Sequence, residues 1–376
     1  MMKKVGICTV YTGYNYGSAL QAFATKNILK RLGYDGDILK VSGSMVKGRD
    51  IRLKKLIVLG WNILLHPMCA KSVICSYTRS KNKTLSESSK RKFNEFYQKK
   101  INPTIIAQSK LKSVARSDEY LSFICGSDQI WNASTLYVDP FYYLSFAPRE
   151  KRIAFAPSFG RDFIPKYNLK KIKKRISAIP NLSVRESGGQ QIIKDLIGKD
   201  VQVLLDPTLL IDKETWIELL QLKENKPEKP YVLAYFLDEP SPKAKRIIGE
   251  LANGGKEVVF LPYSRNEVWL DRCLDAGPKE FLQILLNADV VCTDSFHGTA
   301  FSINFSKEFY CFEREYGQAA NQSSRVISLL DSLGMKERFN SQRILSVKCD
   351  VAVSKQILND EREKAINYLR KSFDSV

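Results

Sequence analysis

The chain has 376 residues, of which 44% are hydrophobic and 26% charged, and it carries a formal net charge of +19. That length supports two domains, each large enough for a full core, and the composition excludes an intrinsically disordered chain. The positive balance favours anionic partners: acidic small molecules, anionic membrane surfaces or nucleic acid. Eight cysteines lie at positions 8, 69, 75, 125, 273, 292, 311 and 349, with no Cys-x-x-Cys pair. They read as reduced, buried thiols of a cytoplasmic protein, and no metal site is expected. No apolar run reaches the roughly 18 residues needed to span a bilayer.

Residues 5–10 form a continuous apolar run that predicts a first strand buried on both faces. The glycine-bearing loop 11–17 follows, then a helix from Ser18 that Gly33 closes. The loop lacks the spacing of a dinucleotide fingerprint and of a P-loop. Gly13 and Gly17 serve either the turn or a ligand, and Asn15, Tyr16 and Gln21 are candidate acceptor contacts beside the sheet edge.

A second strand is expected at 37–41, followed by a strongly basic stretch. Between positions 44 and 100 there are fourteen Lys or Arg against three acidic residues, a net +11. At its centre, residues 56–65 are apolar, contain Trp61, and follow Arg52, Lys54 and Lys55. Two readings stand side by side: an interfacial helix on an anionic membrane, or a core or subunit-contact helix. His66 beside it reads as structural.

Residues 121–125 predict a buried strand ending in the polar loop 126–132, where Asp128 and Trp131 could meet a sugar. A packed tryptophan and a turn aspartate fit the same pattern. Further strands are expected at 152–157 and from 182, with a basic helix at 169–176 and Arg185 at a strand end. A planar guanidinium there suits bidentate capture of carboxylate or phosphate.

The second half repeats the alternation. Strands are expected at 201–205, 231–236, 257–261, 289–292 and 309–312, and helices at 213–222, 242–253, 279–287, 296–305 and 324–333. A final helix at 353–373 carries Ala365, Leu369 and Phe373 at four-residue spacing. The fold class is therefore α/β, with two doubly wound Rossmann-like domains facing across a cleft. Residues 1–195 would form the first, with a basic insertion at about 44–115, and 196–345 the second. The segment 346–376 would cross back to the first domain.

The stretch 288–303 carries the strongest chemical signal. An apolar strand stops at Thr293, Asp294 and Ser295, and a helix starts at Phe296 with His297 in its first turn. Asp294 or Ser295 can cap that helix while the remaining N–H groups, including that of Gly298, offer an anion site. His297 is one of only two histidines, placed beyond the carboxyl end of a strand where such folds bind ligands. It is the leading catalytic candidate, with a capping or buried structural role as the alternative.

Five segments together resemble the polysaccharide pyruvyl transferase family: Asn15-Tyr-Gly-Ser-Ala-Leu-Gln, Cys125-Gly-Ser-Asp-Gln-Ile-Trp-Asn, Ser183-Val-Arg-Glu, Leu205-Asp-Pro-Thr and Thr293-Asp-Ser-Phe-His-Gly-Thr. They occur in the family's order and cover most of the chain. The resemblance implies a GT-B-like fold and transfer of a pyruvyl group from phosphoenolpyruvate to a sugar as a ketal. It implies His297 as the acid and Arg185 as an arginine on the anionic donor. Asp294, Ser295, Gly298 and Arg325 complete the expected donor site, with Asn15, Tyr16, Gly17, Gln21 and Trp131 on the acceptor side. Where better characterised members carry arginine two residues before the histidine, this chain has Ser295.

The chemistry has its own logic. Protonating the methylene carbon of an enol ether creates an oxocarbenium-like centre, so a positioned acid is required, and Asp128 could serve as the base for the attacking hydroxyl. No cofactor is implied beyond phosphoenolpyruvate as a substrate. The acceptor is expected to be a sugar, lipid-linked in one version, with peripheral contact of about 47–100 at the inner membrane face. A GT-B-type glycosyltransferase using a nucleotide sugar is the competing enzyme, since fold does not fix function. A non-catalytic sugar- or lipid-binding module is a third reading. Nucleic acid is not expected, as no nucleic-acid-binding signature accompanies the charge.

Overall fold

The computed structural model describes residues 2–42, 51–65, 67, 85–132, 137–225, 227–261, 273–314, 323–345 and 351–376. Its first sheet holds β1 (Lys4–Cys8), β2 (Asp35–Ser42), β3 (Thr104–Ala107), β4 (Tyr120–Cys125), β5 (Arg152–Ala154), β6 (Asn181–Val184) and β7 (Gln202–Val203). All pairings are parallel, in the order β3-β2-β1-β4-β5-β6-β7. The second sheet, also parallel, has the order β11-β10-β8-β9, built from β8 (Tyr231–Tyr235), β9 (Glu257–Phe260), β10 (Val290–Thr293) and β11 (Glu308–Cys311). These are two doubly wound Rossmann-like units in a GT-B-like arrangement.

The strand order explains where the site lies. The side to which successive strands are added reverses between β1 and β4 in the first sheet and between β10 and β8 in the second, and ligands of open parallel sheets bind at such switch points. The loops leaving these strands are 9–15, 126–132, 236–241 and 294–295, and the carboxyl ends of the two sheets face each other there. The helix Tyr16–Arg31 starts where Asn15 Oδ1 accepts from Ser18 N at 3.1 Å. The helix Phe296–Asn304 starts where Ser295 Oγ accepts from Gly298 N at 3.3 Å.

A single apolar cluster runs from Val5 in β1 through Trp216 and Phe281 to Phe373, so the two units share a core. Tyr16 stacks between Phe93 and Phe281 at centroid distances of 5.0 and 4.8 Å and donates its hydroxyl to Ala276 O. The last helix, Val351–Asp374, bridges both units. Arg362 on it donates to Leu209 O and Asn304 Oδ1, and Tyr368 donates to Ala154 O of β5.

Two expected boundaries move. Strand β7 pairs with β6, so the first sheet extends past 195 to Val203, and residues 201–205 do not open the second domain. The reason is hydrogen bonding: Leu204 N also reaches Val184 O. The insertion expected at 44–115 contains β3, a member of the first sheet, and the helix Glu87–Phe96, which docks on the second unit through Lys92 Nζ to Asp275 O at 2.7 Å. Residues 43–50, 66 and 68–84, including His66, Cys69 and Cys75, lie outside the described residues, as does Cys349. Of the five described cysteines, all but Cys273 are buried. No helix among the described residues is long and apolar enough to cross a membrane.

Candidate active site

Where the sheets meet, side chains from four strand ends converge on Arg185. It follows β6 directly, and its side chain is 1% exposed. Its Nη1 donates to Asp206 Oδ2 at 2.6 Å and lies 3.4 Å from Ser127 Oγ. Its guanidinium sits over the Phe296 ring at 4.3 Å, a cation–π contact across the two units. Nε and Nη2, the two nitrogens of one guanidinium edge, have no hydrogen-bond partner. Their nearest carboxylates, Glu186 and Asp128, each stand at 3.9 Å, ion-pair distance but beyond hydrogen-bond reach.

Asp206 anchors this group. Asp-Pro-Thr opens a short helix, Pro207–Leu210, and Asp206 Oδ1 accepts from Thr208 N and Thr208 Oγ1. Oδ2 is shared by Arg185 and Ser127 Oγ. Burial opposes its ionisation, but His297, Arg185 and the Thr208 N–H together hold its carboxyl far below the usual range. His297 Nε2 is 3.7 Å from the same Oδ2 and has no hydrogen-bond partner, although the residue is only 6% exposed. The imidazole is thus held beside a carboxylate with a nitrogen uncommitted.

The imidazole is placed by a close approach. A Cβ on Gly17 would come within 2.0 Å of His297 Nδ1, so only glycine lets the first helix of one unit pack on this ring. Asp128, in the left-handed region at φ 62°, accepts from Ser18 Oγ and from Gln129 N. Burial pushes its carboxyl up, and His297, Arg185, Ser18 and Arg325 outweigh that, leaving it lowered. Glu186 differs: burial dominates over Arg185 and Arg325, and its carboxyl is raised. Its Oε1 accepts from Ser158 Oγ and Phe159 N, both at 2.9 Å.

Arg325 completes the centre from the helix Ser324–Ser332. With the Gln129 amide turned so that its oxygen faces the guanidinium, Gln129 accepts from both Nη atoms at 2.7 and 2.9 Å. Burial, and repulsion from Arg185 and Arg314, push Arg325 down to about 10. Arg314 donates to Asp294 O at 3.1 Å and ion-pairs with its carboxylate at 3.2 Å. Among the described residues no His, Cys, Asp and Glu cluster is arranged to hold a metal ion.

The structure thus brings the half-buried Asp128 together with the buried Arg185, His297 and Arg325, with Gly17 beside them. Of the expected acceptor contacts it brings Gly17 there, but not Tyr16, Gln21 or Trp131. Trp131 is fully buried, stacked on Tyr143 at 5.4 Å and donating to Tyr142 O, so it offers no face to a sugar. Tyr16 is 1% exposed and belongs to the shared core. Gln21 is fully buried and committed, donating to Thr9 Oγ1 and Val10 O and accepting from Ser127 N. Asn15 is a helix cap. The Asp294 carboxylate is committed within its own unit: it accepts from Leu237 N and Asp238 N, which ties β10 to the loop after β8. Ser295 spends its hydroxyl on Gly298 N, and Gly298 packs its helix against Thr293.

Asp206, Glu186, Ser127, Gln129, Phe296 and Arg314 were not singled out from the sequence. Asp206 lies in one of the five motifs, which was the available signal. Its role depends on pairing with residues 21 and 91 positions away, invisible in the linear chain.

A family model described as polysaccharide pyruvyl transferase matches residues 15–316. No curated protein matches. Among solved structures, the chain is similar to UDP-GlcNAc 2-epimerase from Neisseria meningitidis bound to UDP-GlcNAc, with 10% identity and a TM-score of 0.45 over 100% of this chain and 94% of that one. It is also similar to the glycosyltransferase SnogD from Streptomyces nogalater, with 13% identity and a TM-score of 0.42 over 99% and 100% of the two chains.

Proposed function

The chain belongs to the polysaccharide pyruvyl transferase family, and from that premise we propose that it moves a pyruvyl group from phosphoenolpyruvate to a sugar of a polysaccharide precursor. The observation that carries this reading is the pairing of His297 Nε2, buried and without a hydrogen-bond partner, with the uncommitted Nε and Nη2 edge of Arg185. Two parallel N–H groups on one guanidinium edge match the two oxygens of a carboxylate or phosphate. Asp206 holds the opposite corner of that guanidinium and stands 3.7 Å from the imidazole. The same carboxylate stands beside both side chains.

In the proposed reaction Arg185, assisted by Arg325, holds the anionic donor. Protonated His297 gives its proton to the methylene carbon, turning it into the methyl group and leaving an oxocarbenium-like carbon. A sugar hydroxyl adds to that carbon as Asp128 takes its proton. The C–O bond to phosphate then breaks, phosphate leaving with the proton that Asp128 took, and a second hydroxyl of the same sugar closes the ketal and returns its proton to His297. Oriented dipoles and cations in a dry site make this charge development less costly than in water. The acceptor is proposed to be lipid-linked, with the enzyme at the inner membrane face.

The test is a coupled phosphate assay with phosphoenolpyruvate and a panel of sugar acceptors. Release of inorganic phosphate together with a pyruvyl mass increment on the sugar supports the reading. Release of a nucleoside diphosphate from a nucleotide sugar instead would assign the glycosyltransferase reaction.

A further inference from the structure

The helix Ile51–Leu65 is built inside out. Leu53, Leu56, Ile57, Trp61 and Leu64 recur at three- and four-residue spacing, which places them on one face. They are 67, 65, 63, 63 and 70% exposed. Asn62, on the opposite face, is 5% exposed. In a helix that packs on a core this pattern is reversed, so the apolar stripe faces outward for a reason other than the fold.

We propose that this stripe inserts into the headgroup region of an anionic bilayer. Charge selects the occupant. The stretch from 44 to 100 carries a net +11, so two copies of it brought face to face would repel, whereas anionic headgroups attract it. Length sets the mode: 15 residues of helix span about 22 Å, short of the roughly 30 Å hydrocarbon core, so the helix lies in the interface and does not cross it. Trp61 sits in the stripe, and tryptophan favours the headgroup level.

The next described helix, Glu87–Phe96, packs its Phe93 on Tyr16, the residue before the glycine that meets His297. A membrane-bound stripe would tether the catalytic units close to lipid-linked acceptors. That consequence rests on the pyruvyl-transfer reading, while the binding itself does not.

The experiment is co-sedimentation of the full chain with vesicles of phosphatidylglycerol and phosphatidylcholine, and with phosphatidylcholine alone, at low and high salt. The wild type is expected to pellet with the anionic vesicles, less so at high salt. The double variant Ile57→Glu, Leu64→Glu replaces exposed side chains only and is expected to lose more than about tenfold in partitioning. Its circular dichroism and its turnover of a water-soluble acceptor are expected to match the wild type. Wild type left in the supernatant with anionic vesicles at low salt overturns the proposal, as does undiminished binding by the double variant. A wild-type dimer that the double variant dissolves, without vesicle binding, assigns the stripe to a second copy and also overturns it. Vesicle binding without turnover, or turnover without binding, separates this proposal from the enzymatic one.

Discussion

Two regions of the molecule invert the usual distribution of side chains in opposite ways. Between the sheets, Arg185, Asp206, Glu186 and Arg325 are buried ionisable groups, while the helix Ile51–Leu65 exposes a stripe of leucine, isoleucine and tryptophan. Burying an ion costs several kcal/mol unless it is paired, and exposing a large apolar side chain forgoes about 1.5–3 kcal/mol. In the first region the cost is offset by ion pairs and hydrogen bonds from both units. In the second nothing among the described residues offsets it. The difference separates a site that orders its own groups from a surface that waits for another phase.

The largest break in this comparison should come at the paired end. Asp206→Ala leaves Arg185 buried without its 2.6 Å partner and is expected to cost about 3–5 kcal/mol in urea unfolding, with turnover lost as well. His297→Ala removes the acid and is expected to lower turnover by about a thousandfold, within the range for general acids, while the urea midpoint stays near wild type. Turnover close to wild type in that variant would take His297 out of the reaction. Gly17→Ala should also act on the chemistry: its Cβ displaces the His297 ring, and we expect about a hundredfold loss in turnover with circular dichroism unchanged.

Smaller effects sharpen the account. Asp128 and Asp206 have carboxyls lowered by the fold, so their contribution to stability is present above the unfolded carboxylate value near pH 4 and is lost as pH falls through their folded values. Wild type should therefore lose stability steeply below about pH 4, and Asp128→Asn should flatten that slope. Glu186 has the opposite shift, so ionising it costs stability as pH rises. Glu186→Gln, which preserves the Ser158 and Phe159 contacts through its amide oxygen, is expected to leave stability unchanged or raise it by about 1 kcal/mol at neutral pH.

Much of the fold was legible because its strands are short apolar runs that stop abruptly at polar residues. The second-half helices fall within two residues of expectation: Pro242–Asn253 has the expected bounds, and Phe296–Asn304 ends one residue early. Strand β3 escaped notice because Thr104–Ala107 is a four-residue edge strand in a charged stretch, and the helix Ser187–Ile197 because it begins Ser-Gly-Gly. Arg185 and His297 could be picked out because each follows a strand end. Trp131 and Gln21 misled because polar loop neighbours look alike whether a side chain faces a ligand or the core. Asp206 was hidden for a different reason: its partners come from β6 and from the other unit, and only tertiary structure pairs them.

The measurement that bears most directly on the central claim is mass spectrometry of a sugar acceptor after incubation with phosphoenolpyruvate, run in parallel for wild type and His297→Ala. A pyruvyl mass increment that appears with wild type, together with stoichiometric inorganic phosphate, and vanishes in the variant is the predicted result. An unmodified sugar with phosphoenolpyruvate, but a glycosylated one with a nucleotide sugar, would contradict it.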